Sequence, residues 1–214
     1  MKKDKTEIVI VLDRSGSMAS IKKDIEGGFK TFLDKQKTLA GEAFITLYQF
    51  DTQYEKVYEA KNIQEINEIK IVPRGGTALI DALGRAIAET GERFNKTLES
   101  ERAESVIVLV LSDGEENSSR EFTMEKLKES VKHQESIYNW KFIFLGCNFD
   151  AIKAGAGYGL SRGSTLNFVA TAAGIDASFN AVGNATSFYR SSTSKSASYD
   201  FSDAERGAAL DEKK

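Results

Sequence analysis

The chain has 214 residues, 41% of them apolar and 29% charged, with a formal net charge of −3. That length suits one compact domain with a substantial core, with or without an appendage. One histidine, one cysteine and one proline are present in the whole sequence. A single cysteine closes no internal disulfide, and one Cys with one His builds no zinc site. The slightly acidic balance argues against a nucleic-acid footprint spread over the surface. Any chemistry here rests mainly on oxygen atoms.

The chain opens with the basic stretch Met1–Lys5, but the apolar run behind it covers only Ile8–Leu12 and is ended by Asp13. That is too short for a signal peptide. The longest other run, Val106–Leu111, falls far short of a membrane span. The expectation is a cytoplasmic protein in a reducing compartment, with no membrane segment. Ile8–Leu12, Val106–Leu111 and Phe142–Leu145 do not alternate, a pattern that predicts strands buried on both faces. Met18, Ile21, Ile25, Phe29 and Phe32 recur at helical spacing and predict a helix over 18–36. Phe44–Phe50, the turn Asp51–Gln53 and Tyr54–Ala60 predict a hairpin whose second member is an exposed edge strand.

Ile80, Leu83, Ile87, Gly91 and Phe94 mark a second helix, and Met124, Leu127 and Val131 a third, with Thr123 at its start. A short helix, a weak strand near 165–169 and a final helix over 172–189 complete the series. Strands alternating with helices predict an α/β fold: a doubly wound, mostly parallel sheet with one antiparallel edge strand and helices on both faces. Residues 191–202 hold six Ser and one Thr and almost nothing able to fill a core. Residues 191–214 are therefore expected to be a flexible Ser-rich tail, with 204–210 either a short helix or dangling.

In doubly wound sheets, ligands bind beyond the carboxyl ends of the strands, where the strand order reverses. After the first buried run stands Asp13-Arg14-Ser15-Gly16-Ser17; before the second helix, Arg74-Gly75-Gly76-Thr77; after Val106–Leu111, Ser112-Asp113-Gly114-Glu115. Alternate side chains of an extended segment point the same way, so Asp13, Ser15 and Ser17 share a direction. The glycines allow the close backbone approach that hydroxyl ligands require. Carboxylates and hydroxyls in this proportion suit Mg²⁺, with Ca²⁺ or Mn²⁺ chemically compatible.

These three segments resemble the metal-ion-dependent adhesion site of von Willebrand factor type A domains, and the apolar pattern agrees over roughly residues 5–190. The resemblance is closest to stand-alone, intracellular bacterial members. It implies that Ser15, Ser17 and Thr77 hold the metal through hydroxyls. Asp13 and Asp113 would then act directly or through waters. It also implies a coordination position left for an Asp or Glu of a partner protein, which makes the site a binding device without catalysis.

Other readings compete. Gly159-Leu160-Ser161-Arg162-Gly163 matches the nucleophile-elbow pattern, yet a glycine-rich stretch precedes Ser161 and a predicted strand follows it, the reverse of what the elbow requires. The only histidine, His133, lies upstream in a charged helix. A Ser161 hydrolase, a phosphotransfer enzyme using Asp13, and a scaffold whose metal site is purely structural are the alternatives to a binding module. Ser17 is also expected to cap the first helix, Cys147 to be a buried small residue, and Asp81 to face its helix neighbours or solvent. Glu115, Glu116 and Asn117 read equally as tuning charge around the metal or as a solvated loop.

Overall fold

The computed structural model describes residues 1–192, 194 and 197–211. Its six strands are β1 (Lys2–Asp13), β2 (Glu42–Phe50), β3 (Tyr54–Asn62), β4 (Ala103–Ser112), β5 (Lys141–Cys147) and β6 (Thr165–Phe168). They form one sheet in the order β3-β2-β1-β4-β5-β6. Every pairing is parallel except that of β2 with β3, the antiparallel edge. The helices are α1 (Lys22–Lys37), α2 (Leu79–Lys96), α3 (Met124–Tyr138), α4 (Ala151–Tyr158), α5 (Ala172–Ser191) and α6 (Asp203–Ala209).

Strand parity divides the core in two. Ile8, Ile10 and Leu12 of β1 point with Ile107, Leu109 and Leu111 of β4 toward α1 and α5. Val9 and Val11 point with Val106, Val108 and Val110 toward α2, α3 and α4. A strand covered on both faces gains nothing from alternation, and this is why β1 and β4 are continuous apolar runs. Crossovers leave β1 toward β2 on one side and eventually toward β4 on the other. The reversal therefore falls between the adjacent strands β1 and β4.

The helix expected over 18–36 is a 3-10 turn over Gly16–Ser20 followed by α1. Ser17 caps neither, since no side-chain capping bond forms at the start of the turn or of α1. Thr123 does cap α3, its hydroxyl accepting from the Lys126 amide. Cys147 is fully buried, and burial pushes its thiol up to about 12.

The tail differs most from expectation. Thr193, Lys195, Ser196 and residues 212–214 lie outside the described residues. The described part is no loose appendage: Phe201 is 4% exposed and Ala209 is fully buried in the same core cluster as α5. The helix α6 starts with a capping box formed by Ser202 and Glu205. The Arg206 guanidinium donates to the Thr165 and Arg162 carbonyls at 2.8 Å each, and the Val169 amide donates to the Ala209 carbonyl at 3.0 Å. Phe201, Ala209 and Arg206, with Tyr199 packed against the same cluster, dock the segment beside the short edge strand β6. Phe201→Ala is expected to cost about 3–5 kcal/mol, as for other buried aromatics. Urea unfolding measures it, and a loss below about 0.5 kcal/mol, typical of an exposed side chain, would show that the segment does not dock.

Candidate metal centre

The ends of β1 and β4 meet at the strand-order reversal, and the candidate ligands gather there. Asp13 is 0% exposed. Its Oδ1 accepts from the Ser15 amide and its Oδ2 from the Ser112 hydroxyl, both at 2.6 Å. The Ser17 hydroxyl lies 3.0 Å from that of Ser15 and donates to Asp113 Oδ1 at 2.6 Å. Thr77 stands opposite: a Cβ placed on Gly114 would lie 3.5 Å from Thr77 Oγ1 and 3.8 Å from Ser17 Oγ. The structure thus brings together Asp13, Ser15, Ser17, Thr77 and Asp113.

Burial raises the Asp13 carboxyl to about 6, against the pull of the Ser112 and Ser15 hydrogen bonds, with the nearby Asp113 charge adding to the rise. Asp113 is raised as well, chiefly by burial. Neither carboxylate forms an ion pair among the described residues. Buried negative charge facing hydroxyl oxygens, with no cation from the protein, is a donor set that fits a hard divalent ion. Among the described residues no three His, Cys, Asp or Glu side chains cluster for a metal. The set depends on its hydroxyls.

The nearest guanidinium is committed elsewhere. Arg14, pointing the opposite way from Asp13 along the chain, donates from Nε to Asp51 Oδ2 at 2.8 Å and from Nη1 to Glu55 at 2.5 Å. Arg74 reaches the same Asp51 oxygen, also at 2.8 Å. Burial alone would raise Asp51, but Arg74, the Gln53 amide and Arg14 hold its carboxyl below the usual range. This knot joins the loop after β1, the β2–β3 turn and the segment before α2. Two backbone bonds reinforce it, Arg74 N to Arg14 O at 2.8 Å and Gly16 N to Gly75 O at 3.1 Å. Gly75 has φ +66°, which strains any side chain there, and a Cβ on Gly76 would stand 2.7 Å from Ser118 Oγ, which would have to shift.

Asp81, Glu116 and Asn117 prove to be loop anchors. Asn117 Oδ1 accepts from the Thr77 amide at 3.0 Å, and the Thr77 carbonyl accepts from the Asn117 amide at 3.0 Å. Glu116 accepts from the amides of Ile80, Ser118 and Ser119, each at 2.8 Å. Asp81 faces neither solvent alone nor its own helix; it accepts from the amides of Arg120, Glu121 and Phe122 at 2.7, 2.9 and 2.8 Å. Ser161 and His133 are placed apart from this centre. The Ser161 hydroxyl is 3.0 Å from that of Ser164 just before β6, and the His133 ring packs on Tyr138 in α3.

No family model and no curated protein sequence matches the chain. Solved structures do match. Proximal thread matrix protein 1 from the mussel byssus superposes with a TM-score of 0.57 at 15% identity, over 86% of this chain and 46% of that one. A von Willebrand factor type A protein from Catenulispora acidiphila gives 0.59 at 16% identity, over 86% and 43%. The von Willebrand factor domain of the type V pili tip protein Mfa5 from Porphyromonas gingivalis gives 0.61 at 10% identity, over 88% and 97%. The fold is that of the von Willebrand factor type A domain. The chain spans less than half the length of the byssus and Catenulispora chains. Among the described residues no helix is long and apolar enough to cross a membrane.

Asp81 offers a test of the anchoring. Burial alone would raise its carboxyl, and the Phe122, Arg120 and Glu121 amides outweigh that and hold it below the usual range. A depressed folded-state pKa adds stability above the unfolded value, and this contribution fades as pH falls through the folded value. Asp81→Asn should therefore cost about 1–3 kcal/mol at neutral pH. The gap to wild type should narrow below about pH 4. Urea unfolding of both chains at neutral and acid pH checks this; an equal gap at both would contradict it.

Proposed function

We propose that the chain is a metal-dependent protein-binding module. Mg²⁺, with Ca²⁺ or Mn²⁺ as substitutes, is held by Asp13, Ser15, Ser17, Thr77 and Asp113, and an Asp or Glu of a partner protein completes the shell. The observation that carries this reading is the convergence of two uncompensated carboxylates and three hydroxyls where β1 and β4 end. The type A fold of the structural neighbours supports it at the level of architecture. The bound ion would supply positive charge and an open position for a hard oxygen ligand. The protein's own part is to orient the hydroxyls and keep Arg14 away from the carboxylates.

Binding without turnover is favoured over a phosphotransfer role, because both Asp13 oxygens already accept strong hydrogen bonds. A hydrolase at Ser161 would need a histidine partner, and the sole histidine packs on Tyr138 instead. A cytoplasmic assembly suits a chain whose only thiol is buried and unpaired.

Calorimetric titration with Mn²⁺ or Mg²⁺ should show one saturable site in the wild type, weakened about a hundredfold or more in Asp13→Ala and Thr77→Ala. Both variants should keep the wild-type circular dichroism. Partner capture by the full chain should disappear in EDTA and return with Mg²⁺. Equal metal uptake by wild type and both variants, or capture indifferent to EDTA, would overturn the proposal.

A further inference from the structure

At the opposite end of the sheet, where the parallel strands begin, a cavity of about 620 Å³ opens between α2 and α3 over the starts of β4 and β5. Its apolar lining includes Ile87 and Phe94 of α2, Val106 of β4, and Trp140 just before β5. Trp140 is 4% exposed and meets Phe94 edge-on at 6.3 Å between ring centroids. The space exists because α2 presents glycine there: a Cβ on Gly91 would meet nothing within 4 Å. A cavity of this size accepts a large side chain or a small ligand.

The surface beyond the mouth favours a macromolecule. Ile137 is 60% exposed and Tyr138 54% exposed at the end of α3, and Leu98, after α2, is 69% exposed. A small molecule inside the cavity would leave this apolar rim in water, whereas a partner segment lying across it would cover it. The charge around the mouth then specifies the segment. Glu99 and Glu104 line the opening, and neither forms an ion pair among the described residues. Glu92 is paired with Lys96. The one arginine in the lining, Arg102, already donates to the Thr97 carbonyl at 2.9 Å and to the Asn95 carbonyl at 3.4 Å. With Glu92, Glu99 and Glu104 set against Arg102 and the Met1 amine, the rim is acidic on balance around an apolar floor.

We propose that this groove is a second docking surface, separate from the metal centre, for a basic amphipathic helix of a partner protein. The helix would set one large apolar side chain against Phe94 and Trp140 and place Lys or Arg beside Glu99 and Glu104. Two surfaces at opposite ends of one sheet would let the chain bridge two partners.

Trp140 is the only tryptophan, so its fluorescence reads the groove directly. The full chain is titrated with a tryptophan-free Leu/Lys amphipathic helical peptide and with the same peptide carrying Glu in place of every Lys. The expected result is a saturable change in Trp140 emission with the Lys peptide, unaltered by EDTA, and binding of the Glu peptide weaker by about tenfold or more. Gly91→Leu should weaken the Lys peptide about thirtyfold by filling the anchor site. Leucine is also the better helix former, so its circular dichroism should match wild type. Glu99→Lys combined with Glu104→Lys, both at the surface, should reverse the preference between peptides. Silence toward both peptides, equal response to both, or Lys-peptide binding unchanged in these variants would overturn the proposal.

Discussion

The candidate metal centre depends on a carboxylate buried at the tip of a strand that is buried from Thr6 to its end. Asp13 ends β1, and β1 is covered by helices on both sides and flanked by β2 and β4. Withdrawing an ionised carboxylate from water costs several kcal/mol unless hydrogen bonds or an opposite charge offset it. The Ser15 amide and Ser112 hydroxyl offset part of that, and the rise of the Asp13 carboxyl to about 6 shows that they leave a residue uncompensated. A second buried carboxylate, Asp113, sits across the Ser15–Ser17 hydroxyl pair and adds to the deficit. A cation between them would offset that deficit, as the proposed function has it.

The cation next to Asp13 in the chain is engaged elsewhere. Arg14 follows Asp13 directly, and Asp51 captures it together with Arg74, with Glu55 taking a further guanidinium nitrogen. Arg14 Nη2 remains buried without a partner, a sign that this knot is kept at some energetic cost. The same knot ties together loops from distant parts of the sequence, so charge separation and loop positioning are one device. Asp81, Glu116 and Asn117 perform the corresponding fastening on the Thr77 side. In effect, side chains replace secondary structure in holding the loops that carry the ligands.

The elements that could be read from sequence are those in which every residue carries the signal. Ile8–Leu12, Val106–Leu111 and Phe142–Leu145 are apolar at each position because both faces are buried, and they lie inside β1, β4 and β5. Of the proposed ligands, Asp13, Ser15, Ser17 and Asp113 stand at or just after the ends of β1 and β4, and Thr77 stands just before α2, so each could be picked out from its place beside an element. Residues acting at long range were not legible. Asp51 reads as a turn residue and Asp81 as a helix-surface residue, and nothing local announces that their partners lie at Arg14 and Arg74, or at 120–122. Ser112 had a usable signal, being the polar residue closing a buried strand beside Asp13. The docking of 197–211 rests on Tyr199, Phe201, Ala209 and Arg206, whose spacing forms no periodic pattern.

The central claim is that the ends of β1 and β4 form a seat for a divalent ion. Crystals grown with Mn²⁺ and measured at the manganese absorption edge test it most directly. The account predicts an anomalous peak among Ser15 Oγ, Ser17 Oγ, Thr77 Oγ1 and the carboxylates of Asp13 and Asp113, at oxygen–metal distances of about 2.0–2.6 Å. An ordered site with these five residues in place and no anomalous peak among them would contradict it.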